Sequence, residues 1–133
     1  MRMVLFVCVH NSGRSQMAEA FFNQLGNGKV RALSAGTNPD TTVDSSVIEA
    51  MREVGIEISG NRPKALTLEM VEQADKVITM GCGVEGVCPA TLVETEEWEL
   101  EDPKGKTLDE VRKIRDEIRV KVAGLLKEID KTV

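Results

Sequence analysis

The sequence has few aromatic residues and no excess of positive charge. It contains no Tyr, one Trp and three Phe, and its 17 Lys and Arg are outnumbered by 22 Asp and Glu, for a net charge of −5. Because a bulk nucleic-acid binder needs a cationic surface, this balance excludes that class. The longest N-terminal apolar run, residues 3–9, is far shorter than the roughly 20 residues that cross a bilayer, and no signal-peptide cleavage pattern follows it. We therefore expect neither a nucleic-acid nor a membrane partner.

Cysteine and histidine are also scarce, with three Cys and one His in 133 residues. An odd number of cysteines without the spacing of a secreted disulfide framework indicates the reducing cytosol, so we expect a cytoplasmic protein. The cysteine spacing and His10 match no common zinc pattern, so we expect no metal site. The length favours one domain over residues 1–133, and a monomer is the default expectation for the oligomeric state.

Short apolar runs alternate with amphipathic segments along the chain. The continuous apolar run at residues 3–7 is typical of a strand buried on both faces of a parallel sheet. Residues 15–25 predict a helix, with an apolar stripe at helical spacing formed by Ala18, Phe21, Phe22 and Leu25. The other predicted elements are strands at 29–34, 76–80 and around 91–94, a helix between Asp44 and Gly55, a short helix at 68–74 after Thr67, and a long C-terminal helix.

The long helix has a clear start, because Thr107 and Glu110 have the spacing of a capping box. Its charged residues, among them Arg112 and Arg115, are expected on a solvated face. Strands alternating with helices predict an α/β fold, a three-layer open sheet of about four parallel strands with helices on both faces. Ligands in such sheets bind beyond the carboxyl ends of the strands, where Cys8 and Cys82 are both expected.

The segment from Cys8 to Ser15 joins the first predicted strand to the first predicted helix. Its backbone N–H groups can surround a tetrahedral oxyanion at a helix N-terminus, and the guanidinium of Arg14 adds a planar fork of donors. Thiols next to such groups ionise readily, so Cys8 is a candidate nucleophile. Ser15 can donate to its sulfur. The oxyanion-binding and loop-shaping residues are Val9, His10, Asn11, Ser12, Gly13, Arg14 and Ser15.

These residues resemble the phosphate loop of the low-molecular-weight protein tyrosine phosphatase fold. More closely, the chain is similar to the thioredoxin-coupled arsenate reductases built on that fold. The likeness covers nearly the whole chain and includes residues 8–18, Ser34-Ala35-Gly36, the pair Cys82 and Cys88, Trp98 and Asp102-Pro103. Phosphatases usually have Pro after the loop serine; here Gln16 follows, as in the reductases. Many relatives have another Cys at the position of Gly13.

The resemblance implies reduction of arsenate to arsenite by three thiols. In that interpretation Cys8 attacks arsenic, Cys82 then attacks the Cys8 sulfur, and Cys88 closes a disulfide with Cys82 that thioredoxin or a similar dithiol protein reduces. Asp102 corresponds to the family's general acid. Gly81, Gly83 and Gly86 predict that the loop carrying Cys82 refolds on oxidation. Phosphate and sulfate are expected as loop-bound analogues of arsenate.

Other interpretations of the same residues stay open. Cys8, Arg14 and Asp102 alone would suit a phosphotyrosine or small phosphate-ester phosphatase, although few aromatic residues remain to hold a phosphotyrosine ring. Cys82 and Cys88 can also be two small residues of a buried loop. A third class is a redox sensor or oxyanion-binding module without catalysis.

The resemblance also raises the question of a cation. A subset of the family binds potassium near the loop through residues that correspond to Asn11, Glu19, Ser34 and an Asp. Lys64 takes the position of that Asp. We hypothesise that its ammonium group replaces the ion and supports Glu19, so that no tightly bound cofactor is needed; Lys64 as an ordinary surface lysine is the alternative.

Overall fold

The computed structural model describes residues 2–26, 28–80 and 94–131. Strands and helices follow one another in the order that the sequence predicts, and four strands of the described residues form one sheet. Within the described residues no helix has the length and apolar character needed to cross a membrane. The elements are β1 (Arg2–Cys8), α1 (Arg14–Gly26), β2 (Val30–Gly36), α2 (Ser45–Glu53), α3 (Leu68–Gln73), β3 (Lys76–Thr79), β4 (Glu94–Glu97) and α4 (Leu108–Lys131).

The sheet is parallel throughout, with the strand order β2-β1-β3-β4. Strand β1 is central, which explains its continuous apolar sequence. Its side chains alternate between two cores: Phe6 packs in the larger core with α1, α2 and α4, whereas Leu5 packs in the smaller core beside α3. Helices therefore cover both faces, and the predicted three-layer α/β architecture is confirmed. Cys8 shares the Phe6 side, because successive residues of a strand face opposite ways.

The register puts the functional edge where the sequence predicts it. Cys8 pairs with Gly36, the last residue of β2, and Val7 pairs with Thr79, the last residue of β3. The carboxyl ends of three strands therefore meet around Cys8. Strand β2 runs two residues past its predicted end because Ala35 and Gly36 continue the ladder with β1.

Two helix starts follow their predicted caps. The hydroxyl of Thr67 accepts from the backbone N–H of Met70, and Thr107 and Glu110 bond reciprocally, each side chain accepting from the other's backbone N–H. The apolar face of α4 is buried as expected, at Val111, Ile114, Ile118, Val122, Leu125 and Ile129.

Three sequence predictions need correction. Leu25 is 42% exposed rather than buried. At this end of α1 the residue that packs against β2 is Gly26, where an added Cβ would lie 2.7 Å from Val30 Cγ2. Arg115 is not on a solvated face. It is buried and donates to the carbonyl of Ala50 and the carboxylate of Glu53, which ties α4 to the end of α2. The edge strand was expected around residues 91–94, but β4 is Glu94–Glu97; residues 91–93 lie outside the described residues.

Candidate active site

The backbone between Cys8 and Arg14 is held from outside by the segment that follows β2. The carbonyls of Cys8, Val9 and His10 accept from the N–H groups of residues 37, 38 and 40, and the carbonyl of Ser12 accepts from residue 44, at 2.8–3.1 Å. With these carbonyls turned outward, N–H groups face the inside of the loop. The N–H of Asn11 points to Cys8 Sγ at 3.2 Å. We call residues 8–15 the catalytic loop.

The loop merges with the start of α1, which adds further donors. The first bond of the helical series runs from Met17 N to Gly13 O. The N–H groups of residues 13–16 therefore have no acceptor within the helix, as at any helix start. Together with the Asn11 N–H they form the concave, electropositive surface that an oxyanion requires.

Two backbone features permit this tight curve. Asn11 has a φ of 51°, the left-handed region that Asn tolerates better than most residues. Gly36 lies so close to the loop that a Cβ there would be 2.6 Å from the carbonyl oxygen of Val9. Any side chain at position 36 would therefore push against the backbone of the catalytic loop.

One backbone group fixes the orientation of the Asn11 amide beside Cys8. The N–H of Lys64 can only donate, and it donates to Asn11 Oδ1 at 2.8 Å, which fixes the orientation of the Asn11 amide. Asn11 Nδ2 then donates to Ser15 Oγ at 2.7 Å. Ser15 Oγ also lies 2.8 Å from Cys8 Sγ, and when Cys8 is a thiolate, which carries no proton, only the hydroxyl can donate in this pair. The structure thus brings Ser15 to the sulfur as the sequence predicts.

Gln16 is a site residue that sequence reasoning noticed only as a family likeness. It is fully buried, and its Nε2 donates to Asn11 Oδ1 at 3.1 Å and to the Arg62 carbonyl at 3.4 Å. Its Oε1 accepts from Asn61 Nδ2 at 3.2 Å. A buried polar network whose members all have partners holds its shape well, so Gln16 locks the Asn11 amide to the segment at residues 61–64.

Arg14 opens α1 and is 7% exposed. Arg14 Nη1 donates to the Leu100 carbonyl at 3.2 Å, and Nη2 lies 3.8 Å from a carboxylate oxygen of Asp102. Five N–H donors belong to one guanidinium, so donors remain for an oxyanion. The contact also brings Asp102, predicted from the resemblance alone, to the mouth of the catalytic loop.

The segment carrying Asp102 packs directly on the loop through Gly13. A Cβ at position 13 would lie 2.6 Å from Pro103 Cγ, and Pro103 is buried. The absence of a side chain at Gly13 therefore lets Pro103, and Asp102 beside it, approach the catalytic loop closely.

Charged residues line the outer edge of the loop. His10 Nδ1 lies 3.2 Å from the Asn38 carbonyl and 3.7 Å from Asp40. A hydrogen bond from Lys104, with smaller contributions from Ser12 and His10, lowers the pKa of Asp40 below its ordinary value. Burial raises the pKa of Asp44. Asp40 and Lys104 carry no local sequence signal for this role, because they come from segments far apart along the chain.

Glu19, Ser34 and Lys64 lie behind the loop. Lys64 Nζ is 3.6 Å from Glu19 Oε1. Among the described residues, Glu19 Oε1 and Ser34 Oγ are buried without a hydrogen-bond partner, which is the donor-poor environment that oxygen ligands offer a cation. However, Asn11 Oδ1 already accepts two hydrogen bonds, and Lys64 brings an ammonium group to Glu19. The residues present therefore do not fit an additional potassium ion.

Cys82 and Cys88 lie outside the described residues. Within 2–26, 28–80 and 94–131, no group of three or more His, Cys, Asp or Glu side chains could hold a metal ion. Cys8 is a free, buried thiol.

Comparison with known proteins identifies relatives over almost the full chain. Residues 3–133 match the family model described as low molecular weight phosphotyrosine protein phosphatase. The chain is 39% identical over 132 residues to a glutaredoxin arsenate reductase of Synechocystis sp., covering 97% of this chain and 99% of that one. It is 37% identical over 130 residues to a putative arsenate reductase of Halobacterium salinarum, covering 94% and 91%.

Solved structures agree on the fold. A thioredoxin-dependent arsenate reductase of Corynebacterium glutamicum superposes with a TM-score of 0.84 at 36% identity; the match covers all of this chain and 63% of that one. An arginine phosphatase of Geobacillus stearothermophilus superposes with a TM-score of 0.88 at 24% identity, covering 99% and 95%. The second likeness shows the fold alone, and similarity of shape does not separate reductases from phosphatases.

Proposed function

The chain belongs to the low-molecular-weight phosphotyrosine protein phosphatase family, and on that premise we propose that it is an arsenate reductase with Cys8 as its nucleophile. The observation that carries the proposal is the position of the Cys8 sulfur, which accepts from the Asn11 N–H and lies within hydrogen-bond distance of the Ser15 hydroxyl, inside a loop of oxyanion donors. Relatives similar along nearly their whole length are named arsenate reductases. The chain also has two further cysteines, Cys82 and Cys88, which the reductase cascade uses and which a phosphatase does not need.

In the first step the Cys8 thiolate attacks the arsenic of a bound hydrogen arsenate dianion. A sulfur–arsenic bond forms, an arsenic–oxygen bond breaks, and the departing oxygen takes a proton from Asp102 and leaves as water. Arg14 and the N–H groups of the loop stabilise the negative charge on the remaining oxygens. The contact between Arg14 and Asp102 supports these roles because it brings both side chains to the mouth of the catalytic loop.

In the second step the thiolate of Cys82 attacks the Cys8 sulfur. The sulfur–arsenic bond breaks, its electron pair goes to arsenic, and arsenite leaves, so that As(V) is reduced as the two sulfurs are oxidised to a disulfide. Cys88 then attacks Cys82 and releases the Cys8 thiolate. Met80, two residues before Cys82, donates from its N–H to the Val7 carbonyl, so the chain leads towards Cys82 from a point next to Cys8; the order of the thiol steps comes from the resemblance.

The disulfide between Cys82 and Cys88 requires an external dithiol. The resemblance indicates thioredoxin, and one structural neighbour is named thioredoxin-dependent, whereas a relative is named a glutaredoxin arsenate reductase. We propose thioredoxin as the donor. Such a cascade needs reduced cysteines at rest, which favours the cytoplasm as its compartment.

We also propose that the enzyme needs no potassium. Glu19 lies on α1, and the backbone N–H of Lys64 donates to the amide oxygen of Asn11. The Lys64 ammonium supplies the positive charge beside Glu19, so the chain itself provides the cation that supports the catalytic loop.

Arsenite formation tests the proposal. The reduced protein is incubated with arsenate, thioredoxin, thioredoxin reductase and NADPH, and arsenite and NADPH consumption are measured together; a parallel reaction uses glutathione and glutaredoxin. We expect one arsenite per NADPH in the thioredoxin reaction and none with Cys8→Ser. Turnover only with glutaredoxin would overturn thioredoxin as the donor, and no arsenite in either reaction would overturn the function.

Hydrolysis of phosphate esters is the second candidate, since Arg14 and Asp102 meet at the loop in the geometry that either reaction uses. The Cys82→Ser variant separates the two. We expect it to lose arsenite release while keeping whatever activity the protein has towards p-nitrophenyl phosphate. Arsenate turnover that survives this change would contradict the three-thiol cascade.

A further inference from the structure

The segment between β4 and α4 reaches the catalytic loop at more than one point. Pro103 packs on Gly13, and Arg14 contacts Leu100 and Asp102. A separate contact lies further out, where Lys104 Nζ donates to Asp40 Oδ2 at 2.9 Å. Lys104 and Asp40 are 64 positions apart and neither belongs to the loop itself.

Both ends of this ion pair are tied to a functional group. The backbone N–H of Lys104 donates to Asp102 Oδ1 at 3.0 Å, so the residue that reaches Asp40 also holds the Asp102 carboxylate. The N–H of Asp40 donates to the His10 carbonyl at 3.0 Å, and its carboxylate faces the His10 ring at 3.7 Å. Three contacts in series therefore lead from Asp102 through Lys104 and Asp40 to the catalytic loop.

We propose that Lys104 and Asp40 are positioning residues that hold Asp102 against the catalytic loop. The inference rests on the proposed function for the acid role of Asp102. Lys104 is not part of the loop; it acts through the Asp102 carboxylate that its N–H binds. Asp40, whose N–H is bonded to the catalytic loop, holds the Lys104 ammonium group in place.

The exposure of the pair determines where its effect should appear. The Lys104 side chain is 51% exposed and that of Asp40 28%, and exposed ion pairs contribute little to the free energy of unfolding. Misplacement of a catalytic group by about 1 Å, in contrast, lowers rates by up to about 100-fold. We call the Lys104–Asp40 ion pair the bridge. Loss of the bridge should therefore slow the reaction with almost no change in melting temperature.

A rival explanation assigns Lys104 a purely electrostatic role. Asp40, Asp44 and Asp102 all interact with the Lys104 charge, and His10 faces Asp40 and Asp44. In that account Lys104 offsets negative charge that repels arsenate. Neutralising Lys104 would then weaken binding, whereas neutralising Asp40 would strengthen it. A bridge predicts that both substitutions act in the same direction.

The experiment compares Lys104→Gln, Asp40→Asn and the conservative Lys104→Arg with the matched control Lys106→Gln. Lys106 pairs with the exposed Glu101 at 3.5 Å on the same segment, so its ion pair does not involve the catalytic loop. We expect kcat for arsenate reduction to fall about tenfold in both neutralised variants, in line with misplacement of a catalytic group. KM should stay within about twofold, and Lys104→Arg and Lys106→Gln should keep at least half of the activity.

Amide hydrogen exchange of residues 99–106 gives a readout that needs no substrate. Exchange there should be faster in Lys104→Gln and Asp40→Asn than in the control. Unchanged exchange, or an unchanged kcat in either neutralised variant, would overturn the bridge, as would KM values that move in opposite directions. If the unaltered protein reduces no arsenate, the proposed function fails, and the exchange experiment still decides whether the bridge exists.

Discussion

The hydroxyl oxygen of Ser15 lies 2.8 Å from the sulfur of Cys8, so the hydroxyl donates to the sulfur whenever Cys8 is a thiolate. These residues stand at the end of β1 and in the first turn of α1, and the amide of Asn11 donates to the same hydroxyl oxygen. That amide is oriented in turn by the backbone of Lys64. The nucleophile thus depends on a segment more than fifty positions away.

Substitution of Asn11 should damage the nucleophile more than the fold. Asn11→Ala removes the donor to Ser15 and the acceptor of Lys64 N–H, and it places Ala at a φ of 51°. We expect alkylation of Cys8 by iodoacetamide at pH 7 to slow about tenfold, with a loss of about 2 kcal/mol in the free energy of unfolding. The measurements are alkylation of the intact protein followed by mass spectrometry, with Cys82 and Cys88 changed to Ser, and urea denaturation.

Asn23→Ala is the matched control for that prediction. Asn23 makes two hydrogen bonds with the backbone of Ala32, away from the loop, so its loss should cost similar stability while leaving alkylation unchanged. Equal slowing in both variants would mean that general destabilisation, and not the Ser15 contact, controls the thiol.

Gly36 should tolerate no side chain. Gly36→Ala would put a Cβ 2.6 Å from the Val9 carbonyl oxygen and 3.0 Å from Asn11 N, and backbone atoms cannot rotate out of the way. We expect a cost of about 3 kcal/mol, typical of overpacking against rigid neighbours, and at least tenfold weaker phosphate binding by calorimetry. Gly60→Ala, where nothing lies within 4 Å, should match the unaltered protein; a Gly36→Ala protein that binds phosphate normally would refute the close approach.

If Lys64 takes the place of a potassium ion, potassium should not change the stability of the protein. The melting temperature of the reduced protein should be the same in potassium chloride and sodium chloride at equal ionic strength. Lys64→Ala leaves the Glu19 carboxylate, whose side chain is 16% exposed, without its cation, and should cost about 1 kcal/mol. A marked rise in the melting temperature of the unaltered protein with potassium alone would show that the ion, and not Lys64, supports Glu19.

Acid stability should depend on Glu57, beyond the end of α2. Arg52 donates to both of its carboxylate oxygens, at 2.8 and 2.9 Å, and with help from Ser59 lowers the pKa of Glu57 from 4.5 to about 2. A lowered carboxyl pKa stabilises the folded state above the unfolded value and loses that contribution as the pH falls through the folded one. Stability should therefore decrease between about pH 4.5 and pH 2.

Glu57→Gln should flatten this part of the curve, measured by urea denaturation from pH 5 to pH 2. The exposed Glu72→Gln in α3 serves as the control and should keep the full slope. Identical slopes in Glu57→Gln and the unaltered protein would contradict the role of the Arg52 pair.

The local features of the site were predictable because they are consecutive in the sequence. A buried strand, a loop with Asn11 and Gly13, and a helix beginning at Arg14 follow one another within a few residues, so the sequence alone locates the catalytic loop. The caps at Thr67 and Thr107 were predictable for the same reason. Asp102 came only from the resemblance, since neighbouring acidic residues make its position alone uninformative.

The partners of polar side chains were not predictable. Arg115 has the charge and spacing of a solvated helix residue, yet the end of α2 approaches α4 and supplies the Ala50 carbonyl. Leu25 has apolar spacing, yet the helix packs through Gly26. Gln16, Asp40 and Lys104 gain their roles from contacts with residues distant along the chain, which no local pattern contains.

The sequence by itself determined the strand–loop–helix unit that presents Cys8, because turn, cap and apolar periodicity act over neighbouring residues. Only the tertiary structure decided which side chains reach the sulfur and which residues contact Asp102. Those outcomes depend on hydrogen bonds between segments that packing brings together, and the direction of each bond depends on donors and acceptors far away in the chain.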